Sequence, residues 1–481
     1  MIISSIIITS CFIGVIILIL TERLNRAIAA LTGATITYFV LIFMEGMKFS
    51  VVVDLLFGTE DDGFVNLHSL ILIIGMMFIV SISNEAGLFQ FLAIKLIKLS
   101  KGKPIRLMII LCLLCVFISA ILNNILAVII LIPLTITVSR ILNIDPTPYI
   151  LTEAVIVNLG ASIFLISSIP NILIATYAGI TFIEFFLNVG LISLIILIFT
   201  LLFFAFLYKK ELVIPKEGVS VLEEFNVWNL VQNKSLMYEC IGALSILMIL
   251  FIIIPSSIIT PDMIALTIAL FLIILSRLEP KDLISKIDFE LVFYLLGIFI
   301  IAGALEVLGL LSIIGRELST VGGGDLLIQM IFILWISAFL SSTIDNIPIT
   351  KILIPVIGTM SSTGSGSDGN QLYYSLAIGA NWGDNLTPLG DNILVINLAE
   401  QNKRPISFKL FFKLGFFTTI YQLAIVSLIF VLLFNFYLGI SIIIPILFLI
   451  ILFYIIKKAI GKKFGSKIEN VINKFREFII K

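Results

Sequence analysis

Fifteen residues, SSTIDNIPITKILIP (341–355), place an acid and a base inside an otherwise apolar run. Asp345, Asn346 and Lys351 are the polar side chains that a hydrocarbon environment would penalise most. Three other stretches share this character: Asn123 and Asn124 in AILNNILA; Asn158, Ser162, Ser167, Ser168 and Asn171 in NLGASIFLISSIPN; Asn381, Asp384, Asn385, Thr387, Asp391 and Asn392 in NWGDNLTPLGDN. Amides and hydroxyls are neutral ligands that suit oxygen-coordinated Na⁺ or a hydrogen-bonded oxyanion. Carboxylates inside a membrane usually mark ion pathways, so Asp345, Asp384 and Asp391 are candidates to hold Na⁺ or a proton. Lys351 is expected to point into the same site and pair with one of these three acids. No cofactor is implied beyond a coupling ion, Na⁺ or H⁺. Glu153, near a helix start, reads as structural.

Enzymatic chemistry finds no support. No nucleophile–base pair and no metal-spaced histidine set is visible, and His68 is the single histidine. It falls at the start of a predicted helix and reads as interfacial. Cys112 and Cys115 form a CxxC, but within LMIILCLLCVFIS, where small residues pack between lipid-embedded helices.

These polar positions need elements to hold them, and composition says which. The chain has 481 residues, 60% of them hydrophobic and 12% charged. Apolar runs long enough for the roughly 20 residues of a membrane helix recur along its length. Short alternating segments of a transmembrane barrel are absent. The formal net charge of zero excludes the basic footprint of a nucleic-acid binder. The first apolar run lacks a positive leader and is expected to be a retained helix.

Lys and Arg in short loops mark the cytoplasmic side. Arg23 and Arg26, the five basic residues of 95–106, the segment 209–216, Arg277 with Lys281 and Lys286, the segment 402–413 and the basic tail all fall on one side of a consistent crossing count. Residues 46–67, 176–186, 255–261 and 316–325 then lie outside, with the N-terminus outside and the C-terminus cytoplasmic. Segments 68–208 and 289–436 repeat one pattern. A long apolar run comes first. A stretch of about 33 residues follows, broken at 120–127 in one and 342–349 in the other, which fits a re-entrant hairpin. A helix interrupted at 158–171 or 381–392 comes last. The basic loop precedes the hairpin in the first unit and follows the broken helix in the second, so the units should be inverted in the membrane. Discontinuous helices in inverted repeats are an architecture of secondary transporters. The expected fold is therefore an all-α polytopic membrane protein of two inverted-topology repeats, each with a re-entrant helical hairpin and a broken transmembrane helix. Its parts are N-terminal helices (1–67), repeat 1 (68–208), a cytoplasmic linker and two connecting helices (209–288), repeat 2 (289–436), and a last helix with a basic tail (437–481).

SNEAGLFQFLAIKLIKLSKGKPIRLMIILCLLCVFISAILNNILAVIILIPLT (83–135), LTEAVIVNLGASIFLISSIPNILIA (151–175), SSTIDNIPITKILIPVIG and LAIGANWGDNLTPLGDNILVINLAEQNKRPISFKLFFKLG together resemble the ion-transporter superfamily. Within it they are similar to the branch holding the P protein and arsenite permeases, grouped with citrate-transporter-like domains. The resemblance covers roughly 68–436. It implies a secondary active transporter that moves a small anion by alternating access, coupled to H⁺ or Na⁺. The alternative is a Na⁺/H⁺ antiporter of the same superfamily; a channel is less favoured. Three positions depart from the family pattern. Asn123-Asn124 stands where Asp-Asn is common, Ser167-Ser168-Ile169-Pro170-Asn171 where Gly-Asp-Pro-Pro-Asn is common, and Lys351 where a small residue is usual. Expected partners are a small ion and the lipid bilayer, with a homodimer as a candidate assembly.

Overall fold

Apolar runs without internal turn signals form helices, and the polar interruptions end them. The computed structural model describes residues 2–21, 23–60, 63–122, 124–209, 212, 227–231, 233–256, 258–363, 370–388, 392–445, 448, 473–474 and 476–479. The expected site residues Asn123 and Asp391 lie outside the described residues, as do most of 209–236, residues 364–369 and most of 437–481.

The first half begins with α1 (Ile2–Leu20) and α2 (Arg26–Met44). A short helix, α3 (Ser50–Phe57), lies in the segment expected to be an outer loop. α4 (Val65–Glu85) and α5 (Leu88–Lys98) meet at Gly87. α6 (Pro104–Ile121) and α7 (Asn124–Leu142) form a helical hairpin, and α8 (Thr147–Gly160) and α9 (Ile169–Ala178) are two pieces of one broken helix. α10 (Phe182–Tyr208) closes this half. The second half begins with α11 (Lys234–Ile253) and α12 (Pro261–Ser276). α13 (Phe289–Val307) and α14 (Leu310–Ser319) meet at Gly309. The hairpin α15 (Leu326–Ser341) and α16 (Asn346–Thr363), the broken helix α17 (Asn370–Gly383) and α18 (Asn392–Gln401), and α19 (Phe408–Phe434) complete it. Eight helices among the described residues are long and apolar enough to cross a membrane: α1, α2, α4, α6, α10, α11, α13 and α19. The chain is a polytopic helical membrane protein, and no strand occurs among the described residues.

The first hairpin spans 104–142, longer at both ends than the expected stretch of about 33 residues. Pro104 sits in the first turn of α6, where its missing N–H costs nothing. Arg140 lies in the last turn of α7, where a cation favours the helix dipole. Counting apolar residues alone stops short of both ends.

Several features recur at a near-constant spacing between the halves. Gly87 (φ 77°) and Gly309 (φ 75°) adopt the left-handed conformation that glycine enters at little cost. The residue before each closes the last turn of the preceding helix, Ala86 N–H to Ile82 O at 2.9 Å and Leu308 N–H to Ala304 O at 3.0 Å. Each turn then leads into a short helix, α5 or α14, that the apolar pattern did not announce. Gly160 ends α8 with its absent Cβ position 2.9 Å from Val116 Cα on α6. Gly383 ends α17 with that position 2.3 Å from Ala338 O on α15. Hydrocarbon gives helices no hydrophobic drive to associate, so close approach through small residues supplies the packing.

The outer pairs cross over. α2 packs on α13, where the Gly297 Cβ position would lie 2.6 Å from the Ala30 carbonyl carbon. α12 packs on α4, where the Gly75 Cβ position would lie 3.1 Å from Ala265. The leading pair of the first half therefore rests on α13, and that of the second half on α4.

Candidate functional site

A helix that stops inside a membrane leaves N–H and C=O groups that the protein must satisfy itself. In the first half, side-chain donors meet these carbonyls. Ser119 Oγ donates to Val157 O at 2.6 Å. Ser167 Oγ donates to Ala120 O at 2.7 Å, and Asn171 Nδ2 to Ala161 O at 2.8 Å. Ser168 caps α9, its Oγ accepting from Asn171 N. Asn124, the first residue of α7, donates through Nδ2 to Asn158 Oδ1 at 2.6 Å.

The second half repeats these contacts. Ser341 Oγ lies 2.6 Å from both Ala380 O and Asp384 Oδ1, so its single proton serves one of them at a time. Thr387 Oγ1 donates to Ser342 O. Asn392 Nδ2 donates to Asp384 O at 2.7 Å. Asn346, the first residue of α16, donates to Asp384 Oδ2 at 2.7 Å. The difference is one of charge: where the first half has Asn158 opposite its hairpin, the second has the buried carboxylate of Asp384.

The two halves are then joined side chain to side chain. Asn158 Nδ2 donates to Asn385 Oδ1 at 2.8 Å, and Asn385 Nδ2 donates back to Val155 O at 2.8 Å. Asn381 Nδ2 donates to Asn171 Oδ1 at 2.7 Å. Trp382 Nε1 donates to Ser162 Oγ at 2.9 Å. Asn158, Asn171, Asn381 and Asn385 are all buried. The structure thus brings Asn124, Asn158, Ser162, Ser167, Ser168, Asn171, Asn346, Asn381, Asp384, Asn385, Thr387 and Asn392 together. The N-terminal ends of α7, α9, α16 and α18 all meet this network.

Asp345 and Lys351 flank it. Asp345 is half-buried; Oδ2 accepts from Tyr294 OH at 3.0 Å and Oδ1 caps Ile347 N at 3.4 Å. Lys351 is buried, donates to Asn66 Oδ1 at 2.7 Å and lies 5.0 Å over the Phe299 ring. Asn66 in turn donates to Leu55 O at 2.9 Å. The lysine therefore reaches the first turn of α4 and the middle of α13, two helices the sequence did not connect with it. Oxygen ligands around Asp384 suit a hard cation such as Na⁺.

Sequence reasoning passed over Ser119, Ser341, Trp382, Tyr294 and Asn66. A signal for the two serines existed: each precedes its hairpin Asn by five residues, 119 to 124 and 341 to 346. His68, read as interfacial, lies 3.0 Å from the buried Asp262 through Nδ1 and Oδ2. The pair lines a cavity of about 200 Å³ with residues of α9.

A family model described as citrate transporter matches residues 16–379. The chain is 29% identical over 427 residues to a 46 kDa membrane protein of Mycobacterium leprae, an alignment covering 88% of this chain and 97% of that one. It is 30% identical over 424 residues to an uncharacterized transporter of Mycobacterium tuberculosis, with the same coverage of 88% and 97%. It is 26% identical over 494 residues to the human P protein, covering 85% of this chain and 57% of that protein. The resemblance read from the hairpin and broken-helix motifs is borne out.

Proposed function

Because the chain belongs to the citrate transporter family, we propose that it is a secondary active transporter that moves a small anion, a carboxylate such as citrate, by alternating access. The observation that carries this reading is the convergence of four helix N-termini on one buried network of amides and hydroxyls. Helix N-termini carry partial positive charge and bind anions. The carbonyls at the opposing helix ends already accept bonds from Ser119, Ser167, Asn171, Ser341, Thr387 or Asn392, which engages groups that would otherwise favour a cation.

The proposed arrangement is a pair of inverted repeats with re-entrant hairpins. The recurring contacts support it: Ser119 to Val157 O matches Ser341 to Ala380 O, Ser167 to Ala120 O matches Thr387 to Ser342 O, and Asn124 to Asn158 matches Asn346 to Asp384. Contacts between loops expected on one side support the topology, with an outer N-terminus and a cytoplasmic C-terminus. Arg26 bonds Glu290 at 3.3 Å, Lys286 bonds Glu85, and Arg140 bonds Asn402 O at 3.1 Å. His68 and Asp262, each one residue past a segment expected outside, meet at 3.0 Å. Coupling runs through H⁺ or Na⁺, in a cell membrane, with a homodimer as the candidate assembly.

Asp384 favours a second reading, a Na⁺/H⁺ antiporter, since a buried carboxylate with hydroxyl and amide neighbours is also a cation site. Proteoliposomes with imposed Na⁺ or pH gradients decide between them. Saturable, gradient-driven accumulation of radiolabelled citrate or another carboxylate is expected. Na⁺-driven proton flux without anion uptake would replace the first reading with the second. Non-saturating conductive flux would overturn both.

A further inference from the structure

Glu153 lies on α8, five residues before Asn158, and is 1% exposed. Its Oε1 accepts from Thr135 Oγ1 of α7 at 2.7 Å. Its Oε2 is buried with no hydrogen-bond partner among the described residues. No Lys, Arg or His forms an ion pair with it among the described residues. The ionisable groups that face it are the thiols of Cys112 and Cys115 on α6; Cys115 Sγ is 3.4 Å from the Glu153 backbone carbonyl. α10, α17, α18, α19 and the turn 384–386 also pack on α8; the charged group of that turn, Asp384, is engaged by Asn346 and Ser341. Tyr149, one turn earlier on α8, contributes a second buried oxygen, its hydroxyl, without a hydrogen-bond partner among the described residues.

This is a poor place for a metal cation. A hard ion such as Na⁺ needs several oxygen ligands, and thiols are soft ones. It is a suitable place for a proton, which needs one oxygen and no coordination sphere. Burial disfavours the charged form of a carboxyl group, and no cation here offsets that. We infer that Glu153 is a proton-binding site of this transporter, taking up H⁺ on Oε2 and releasing it to leave the free carboxylate, and that pH-gradient-driven transport runs through it. The inference rests on the transporter reading above. Its link to the network is short. On the same helix, Val155 O accepts from Asn385, Val157 O accepts from Ser119, and Asn158 bridges Asn124 to Asn385. Charging Glu153 disfavours its apolar seat between α6 and α7, and any shift of α8 in response reaches these bonds directly.

The test uses the full-length protein in proteoliposomes, as wild type, Glu153→Gln and Thr135→Val. Infrared difference spectra are recorded through a pH series in H₂O and D₂O, and uptake of radiolabelled citrate is driven by a pH gradient or by a Na⁺ gradient. The wild type is expected to show a carboxylic C=O band that shifts in D₂O and titrates with pH. Glu153→Gln should lose that band and lose pH-gradient-driven uptake, and Thr135→Val should move the band's frequency. Superimposable spectra for wild type and Glu153→Gln at every pH would overturn the inference. So would undiminished pH-driven accumulation in Glu153→Gln. If Glu153→Gln fails to fold, the Thr135→Val spectrum decides: an unmoved band overturns the proton site. Absence of driven citrate uptake in the wild type counts against the transporter reading, and the spectra then judge Glu153 alone.

Discussion

Asp384 accepts through both carboxylate oxygens, one from Asn346 and one beside Ser341. Replacing it with Asn turns one acceptor into a donor that faces another donor. Hydrogen bonds to a charged group contribute roughly 1.5–3 kcal/mol each. Asp384→Asn should therefore reduce gradient-driven uptake by about ten- to a hundredfold. The protein should still elute as one species from size exclusion, and unimpaired uptake would remove Asp384 from the site. Asn158→Leu tests the neutral partner. It strands Asn124 Nδ2 and removes the donor to Asn385, each at a cost of roughly 1–3 kcal/mol. A lower melting temperature in detergent is expected, and an unchanged one would mean that the network carries no stability. Most of these residues were legible because an amide stands out in an apolar run. Ser119 and Ser341 were not. Ser69 and Ser83 on α4, and Ser337 on the same helix as Ser341, merely bond the carbonyl one turn back, so residue type alone does not separate the two uses. Trp382 hid for the opposite reason, since an indole reads as apolar until its N–H is seen on Ser162.

At the scale of elements, the breaks were readable and the joints were not. Each hairpin and broken helix announces itself by polar residues where hydrophobic ones would continue a helix. α5 and α14 carry Lys95, Lys98, Arg316 and Glu317, and a charged segment after a glycine reads as a loop. Only the packing of their apolar sides reveals them as helices. The close helix crossings give a test. Gly383→Ala would force a methyl to 2.3 Å from Ala338 O, and Gly160→Ala to 2.9 Å from Val116 Cα. Overpacking of this kind costs roughly 1–3 kcal/mol. Both variants should melt below the wild type, Gly383→Ala by more. Gly14→Ala, with nothing within 4 Å of its Cβ position, serves as the neutral control. Equal melting of all three would mean that these crossings are looser than described.

For the whole molecule, the charge map makes a topological prediction. Cysteines introduced at Lys103 and Arg404 should react with an impermeant maleimide only from the cytoplasmic side, and those at Ile183 and Thr320 only from outside. The native cysteines are three buried and one half-buried, so the background should be low. One mismatch among the four would break the inverted arrangement. The sequence placed 1–67 and 209–288 outside the two repeats, as N-terminal helices and as a linker with two connecting helices, and no polar motif in them points to the site. Packing instead sets α2 on α13 and α12 on α4, so each leading pair is matched to the opposite half through plain apolar contacts that carry no distinctive residues. The bonds across the middle have a further consequence, one of time. Asn158 to Asn385, Asn171 to Asn381 and Ser162 to Trp382 join residues 227, 210 and 220 positions apart. At roughly 5–20 residues per second of synthesis, the first half waits about 10–45 s before its partners exist. During that interval a newborn chain holds amides and hydroxyls inside the bilayer with their eventual mates still untranslated, and it is then most exposed to quality control.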